Sequence, residues 1–374
     1  MLRRIPIFLF LCIVFGLQAQ PVITAEVLPK IGDTLLVASD NLPESIAILG
    51  EGADQSWDLM DLQSAFSQKV IVQTAKRKRG SKPFSDADIR IKEIGGHYNF
   101  YRKQDHSLEL LGRVGTDPMN MGVTTTTYFD QPQMTVHYPL KYGATTSTES
   151  SFWFVVPTEA LPKEVLYALP ITPDSVRYRC YLTENKEIDG WGTLALPDNT
   201  YEVLREKNIE ERVYEVDIKV GDLPWQDITE SVEDPMIQNK QVSQSYHFYS
   251  NELATKVAVA YMKPNGVNPK SVTYAVIDPT TTMRTSTGRP DVYAYPNPAI
   301  TDVRFEFSDL KPSNYSLKIY NILGVVVKEE NYQMNGFQTV KMDVSKLRKG
   351  TYLYSLSDEK GKTIATRRLM VIRP

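Results

Sequence analysis

Val303-Arg304-Phe305-Glu306-Phe307, followed by Tyr315-Ser316-Leu317-Lys318-Ile319-Tyr320, decides how the C-terminal part of this chain folds. Apolar and polar side chains alternate with a period of two, the pattern of a strand with one face buried. Working outward, Lys311-Pro312-Ser313-Asn314, Leu323-Gly324, Asn335-Gly336 and Glu359-Lys360-Gly361 carry turn chemistry. They divide the region into seven expected strands near 292–295, 302–307, 315–321, 325–332, 337–343, 351–357 and 363–371. Seven short strands in so compact a span predict an immunoglobulin-like sandwich over residues 292–374.

Several motifs lie along these strands in order: Tyr295-Pro296-Asn297-Pro298; Tyr315 to Asn321 running into Gly324-Val325-Val326-Val327; Leu347-Arg348-Lys349-Gly350-Thr351-Tyr352-Leu353-Tyr354; and Arg367-Arg368-Leu369-Met370-Val371-Ile372. Together they resemble the type A C-terminal sorting domain of cargo of the type IX secretion system. Arg367 and Arg368 stand where that family usually closes on lysines. The resemblance implies a Bacteroidetes-type envelope, passage through the periplasm to the outer cell surface or the medium, and recognition by the type IX machinery. It also implies removal of the domain by a sortase-like peptidase, and either attachment of the cargo to anionic lipopolysaccharide or its release. The residues expected to carry the signal are Tyr295, Pro296, Asn297, Pro298, Gly324, Gly350, Tyr352, Arg367 and Arg368.

The N-terminus supplies a matching first address. Arg3 and Arg4 precede an apolar core from Ile5 to Leu17, and Gln18-Ala19-Gln20 offers a cut between Ala19 and Gln20, so residues 1–19 read as a secretory signal peptide. The apolar run is too short for a membrane span, and no later stretch is long enough. Residues 20–291 hold 27 basic and 37 acidic side chains, net −10, whereas 292–374 hold 13 and 8, net +5. An acidic body argues against nucleic acid as a partner.

The body, residues 20–278, reads as β-rich throughout and predicts a β-sandwich-like fold, with a subdivision near 140–150 as one option. Strands are expected at 22–27, 35–37, 89–94, 98–103, 108–114, 134–138 and 152–156, then as hairpins 176–182 with 191–196 and 201–207 with 213–220. Runs at 246–249, 257–262 and 272–277 complete the set, with Lys263 to Pro269 as a hairpin loop. The Thr, Ser and Pro-rich stretch 279–291 reads as a linker. Gly52-Ala53-Asp54-Gln55-Ser56-Trp57-Asp58 and Asp189-Gly190-Trp191-Gly192-Thr193-Leu194 resemble segments of an N-terminal module common among proteins with such sorting domains. That module implies no particular reaction.

Catalytic signatures are missing from the sequence: there is no Gly-x-Ser-x-Gly elbow, zinc helix, phosphate loop or calcium loop. No catalytic, metal or cofactor site is therefore expected. His97, His106, His137 and His247 are scattered, His97 with His106 is at best a two-ligand pair, and Asp86 with Asp88 is a weak calcium hint. Cys180 sits on the apolar side of an alternating run and reads as a buried, inert thiol. The basic run Lys76-Arg77-Lys78-Arg79 reads as a solvated loop. Two functions remain: a non-enzymatic binding body, with Trp57, Trp153, Trp191 and Trp225 as candidate sugar platforms, or an extracellular glycoside hydrolase or other hydrolase with a carboxylate site.

Overall fold

The computed structural model describes residues 20–372 except 77, 79, 95, 168, 278–283 and 287. The expected signal peptide with Ala19, and the start of the expected linker, lie outside these residues. The chain is all-β, 58% strand and 5% helix. Among the described residues twenty strands follow in chain order: β1 Thr34–Asp40, β2 Gly52–Asp58, β3 Phe66–Thr74, β4 Ile89–Lys92, β5 Tyr98–Lys103, β6 Ser107–Thr116, β7 Thr124–His137, β8 Thr145–Pro157, β9 Ser175–Ala195 and β10 Thr200–Lys219. After these come β11 Gln226–Asp227, β12 Gln241–Tyr249, β13 Ala258–Met262, β14 Pro269–Val276, β15 Arg284–Thr285, β16 Asp291–Tyr295, β17 Asp302–Tyr320, β18 Val326–Asp343, β19 Gly350–Asp358 and β20 Thr363–Val371.

In the body, hydrogen bonding runs β10-β12-β13-β14-β1-β3-β4-β5-β6-β7-β8-β9, and β9 pairs with β10 again. That last pairing closes twelve strands into a barrel-like sheet where the sequence suggests a sandwich. Period-two alternation asks only for one buried face, and both architectures provide it. β8 begins inside residues 140–150, and Thr127 to Gln131 of β7 pair with Ser151 to Phe154 of β8.

Two expected hairpins are single long strands. β9 runs straight through Asp189-Gly190, β10 runs through Asn208 to Arg212, and the reversal lies between them, where the Leu196 amide donates to the Asn199 carbonyl at 2.8 Å. The glycines of β9 serve a close approach rather than a turn. A Cβ on Gly192 would lie 2.0 Å from the Gln55 carbonyl oxygen, and its φ of +152° further disfavours a side chain, so only glycine lets β2 lie parallel against β9.

Three layers of side chains result. The lower lumen is apolar, with Val70, Val72, Ile91, Leu110 and Leu204 packed around a plug of Ile23, Val27, Leu28 and Leu140, and the Ile23 amide donates to the Leu140 carbonyl at 3.2 Å. Outside the wall, segment 41–65 covers a second core containing Trp57, Leu194, Tyr246, Phe248 and Tyr274. Inside that outer core lies Arg205, 2% exposed, whose Nε and Nη2 donate to the two Asp189 oxygens at 2.8 and 2.9 Å. Its guanidinium also faces the rings of Tyr246 at 4.4 Å and Trp57 at 5.0 Å. A third core, with Phe154, Val176, Tyr178, Val216 and Ile218, lies where the long β8, β9 and β10 extend beyond the barrel.

The C-terminal unit has five strands, not seven, in the order β16-β17-β19-β20 with β18 beside β17. The two stretches read as turns, 311–314 and 335–336, face each other inside one long ribbon: Leu310 pairs with Gly336, and the register slips on either side. Bulges of this kind bend a ribbon without reversing it. The first half of β17 therefore pairs with β16 and the second half with β19, giving a curled sheet. Phe305, Phe307, Leu317, Ile319 and Leu356 are fully buried inside the curl, each contributing roughly 1.5–3 kcal/mol of transfer free energy.

Candidate functional site

The expected sorting residues gather mostly at one seam of the curled sheet. Asn297 ties the Tyr295 to Pro298 segment to the last strand: its amide donates to the Arg368 carbonyl and its oxygen accepts from the Met370 amide, both at 2.8 Å. Arg367 pairs with Asp291 at 2.6 Å and lies over the Tyr293 ring at 5.5 Å. Gly350 sits opposite Val371, the Tyr352 hydroxyl donates to the Arg348 carbonyl at 2.7 Å, and Arg368 points to solvent. Gly324 is apart from these, with φ +78° at the tip of the β17–β18 hairpin, among the exposed Ile322, Leu323 and Val325.

On the body, the outer face of β7 to β10 brings aromatic and charged residues into adjoining rows. Tyr128 is opposite Trp153, which is opposite Arg179, which is opposite Glu215. The Tyr128 and Trp153 rings stack at 4.5 Å and 21°. Asp217 binds Arg177 Nε at 2.7 Å and Arg179 Nε at 2.8 Å, and Arg179 also pairs with Glu215 and with Asp227. Hydrogen bonding to Asp217 holds the Arg179 guanidinium firmly protonated. Arg177 in turn lies over Trp225 at 4.7 Å, and Tyr181, 46% exposed, donates to Glu215 at 3.2 Å. This charged face is thus an ion-paired network holding half-exposed rings at fixed spacing. Sequence gives the aromatic inventory, but only strand register shows that Trp153 and Trp225 share a surface while Trp57 and Trp191 are buried in cores.

The upper lumen is a second polar feature. Glu93, Arg113, Glu184, Lys186, Glu206, Glu210, Arg212 and Lys256 all face this space from opposing walls, four acids balanced by four bases. Lys186 Nζ lies 3.2 Å from Glu184 and Arg212 Nε 2.7 Å from Glu210. Tyr261, 51% exposed, borders the same space beside Glu93 and Glu210. The second half of β7 and the first half of β8 do not pair, because β7 continues along β6 and β8 along β9. In the slit between them lies a cavity of about 300 Å³ lined by Met134, His137, Thr146, Thr148, Lys186 and Glu206.

Behind that cavity runs a chain that no sequence motif announces. His247 Nδ1 is 2.9 Å from Glu206 Oε1, and His247 Nε2 is 3.0 Å from Ser245 Oγ. The connectivity matches a nucleophile, a base and an orienting acid. The properties do not: burial and Lys256 hold the imidazole down at about 4, far below what a general base needs at neutral pH, and Ser245 is buried away from the cavity. The relay instead satisfies the buried Glu206, which also accepts from the Tyr249 hydroxyl at 3.3 Å.

The other titratable candidates are structural. His97 precedes β5 and His106 follows it, at opposite ends of one hairpin, and burial beside Arg113 holds His97 down at about 3. Asp88 caps the Lys103 amide at 2.9 Å, and Asp86 accepts from Ser85 at 3.3 Å. Among the described residues no group of three or more potential ligands could hold a metal ion. Burial pushes the Cys180 thiol up to about 12. At pH 8 iodoacetamide should leave native protein unmodified and label Cys180 fully in 6 M urea; stoichiometric labelling of native protein would contradict this burial.

Fold and sites together define a barrel-like all-β body with a separate curled β-domain at its C-terminal end. Residues 293–372 match the family described as secretion system C-terminal sorting domain, so this terminal unit is a sorting domain. It implies interaction with type IX machinery and export to the outer cell surface or the medium. Among the described residues no helix is long and apolar enough to cross a membrane. No match to the chain was found among curated protein sequences. Two solved structures from Porphyromonas gingivalis are similar. Dimeric latent PorU has 10% identity and a TM-score of 0.21, the match covering 92% of this chain and 30% of that one. PorZ, described as an essential surface component of the type IX secretion system, has 9% identity and a TM-score of 0.22, covering 73% and 51%. This chain thus spans a third to half of those proteins, and at these TM-scores neither likeness carries an argument.

Proposed function

We propose that residues 20–278 are a non-enzymatic cargo that binds glycan on the outer face of β7 to β10, delivered by the terminal domain after a signal peptide is cut between Ala19 and Gln20. The observation that carries this reading is the stacked Tyr128–Trp153 pair aligned with Tyr181 and Trp225 along an ion-paired strip. Half-exposed rings offer apolar faces to sugar C–H groups, and the fixed carboxylates and guanidinia offer hydrogen bonds to hydroxyls. Residues 292–374 would be removed by a sortase-like peptidase, leaving the body on anionic lipopolysaccharide or free. In a glycan array, mature protein should bind at least one polysaccharide, and Trp153→Ala should weaken that binding at least tenfold with the fold unchanged. Equal binding by wild type and variant would refute the assignment. A glycoside hydrolase or other hydrolase is the second reading, favoured by Glu206 and Lys186 at the slit cavity and neighbouring Glu184. Turnover of any bound polymer, lost in Glu206→Gln, would establish it.

A further inference from the structure

The sorting domain is not suspended freely from the body; charged groups are buried between the two. Glu306, 2% exposed, accepts from the Ala65 amide at 2.8 Å and from Ser64 Oγ at 3.0 Å, with the Tyr295 phenol against it. Beside it Arg304 reaches Asp40 at 3.4 Å and Glu44 at 3.2 Å, and Lys341 reaches Glu44 at 2.9 Å. Asp40 also accepts from the Leu42 and Gln63 amides at 2.9 Å, so the same carboxylate organises the segment covering the outer core. Phe66 meets Tyr293 edge-on at 6.3 Å, Asn335 donates to Asn120 at 3.0 Å, and Gly122 lies so near Pro312 that a Cβ would approach it to 2.4 Å. Next to Glu306, residues 284–286 of the linker are fastened: Arg284 and Thr285 pair with Phe66 and Ser67 of β3, and the Ser286 amide donates to the Ser67 carbonyl at 2.7 Å.

We infer that this face of the sorting domain is a latch, which docks the domain on its own cargo and shields the linker, and which opens when Glu306 ionises. The buried carboxyl has donors on one side, and among the described residues no ion pair reaches it; Arg304, two residues along the same strand, is engaged with Asp40 and Glu44. Burial drives Glu306 up to about 7, against its hydrogen bonds from the Ala65 amide and Ser64 Oγ and with help from Asp40. Burial raises Asp40 as well, opposed by its backbone donors and Arg304, while Lys341 and Arg304 lower Glu44. For a group raised by docking, the stabilisation is complete below its undocked value and is lost as pH rises through its docked value. Glu306 is raised from an ordinary 4.5 to about 7, so docking is tightest below pH 4.5, weakens steadily from there to about pH 7 and changes little above it. Glu44 opposes this only in the acid range, where its pairs with Arg304 and Lys341 are lost.

Cleavage of the mature chain by trypsin after Arg284 reads the latch, because a residue held in a strand must leave it to enter a protease. Rates are normalised at each pH to a free peptide of residues 280–292. The expected rate rises roughly tenfold or more from pH 5.5 to 8, one pKa unit of differential protonation being tenfold in the docking equilibrium. Glu306→Gln, which keeps an acceptor without the charge, should be cleaved slowly at every pH. Gly122→Val, which drives Pro312 away, should be cleaved rapidly at every pH and serves if the Gln variant does not fold. A flat wild-type profile, a wild-type slope retained in Glu306→Gln, or slow cleavage of Gly122→Val would each overturn the latch.

Discussion

Arg205→Ala is expected to cost about 3–5 kcal/mol, a large share of a domain's marginal stability, because it strands the Asp189 carboxylate in a dry core. Both partners are buried, and the guanidinium binds both carboxylate oxygens while filling the space between Tyr246 and Trp57. Alanine removes the charge partner, two hydrogen bonds and the stem that packs against the rings. Pairing Arg205→Met with Asp189→Leu should recover much of the loss, since no charge is then left without a partner. Urea denaturation of the three proteins measures this. A loss below 1 kcal/mol in the single variant would mean that water reaches Asp189 and the outer core is not dry.

Deleting residues 292–374 is expected to abolish export, with the truncated body accumulating in the periplasm and none reaching the surface or the medium. The terminal sheet has its own core, built from β16 to β20, and the barrel closes without it. The truncated body should therefore remain folded, and folding and export become separable readouts. Fractionation with an antibody to the body gives the distribution, and circular dichroism of the purified truncation reports its fold. Normal surface delivery of the truncated chain would remove the basis for the address. A truncation that is trapped but unfolded would instead show that the docked face around Glu306 is needed for the barrel itself.

Strand content is largely legible, because alternation at Val176 to Leu182 and Val213 to Val220 reports local burial. What alternation could not report was continuity. Asp189-Gly190 carries turn chemistry yet lies mid-strand, because β2 approaching from elsewhere requires a backbone without side chains at Gly192. Lys311 to Asn314 and Asn335-Gly336 likewise form facing bulges, since each offers the other its unpaired geometry. The aromatic strip is half legible: the tryptophans stand in the sequence, but Arg179 opposite Trp153 is a fact of register between strands.

The sequence by itself determined the class, the address and the inertness of Cys180, since strand periodicity, ordered local motifs and the apolar neighbours of one residue are all written within a few positions. Only the tertiary structure decided that the body closes into a barrel, that acids and bases face one another across its lumen, and that Glu306 is sealed against Ala65. Each of these depends on which distant segments meet. Local sequence sets which face of a strand is apolar, but the partner on the other side is chosen by the packing of the whole chain.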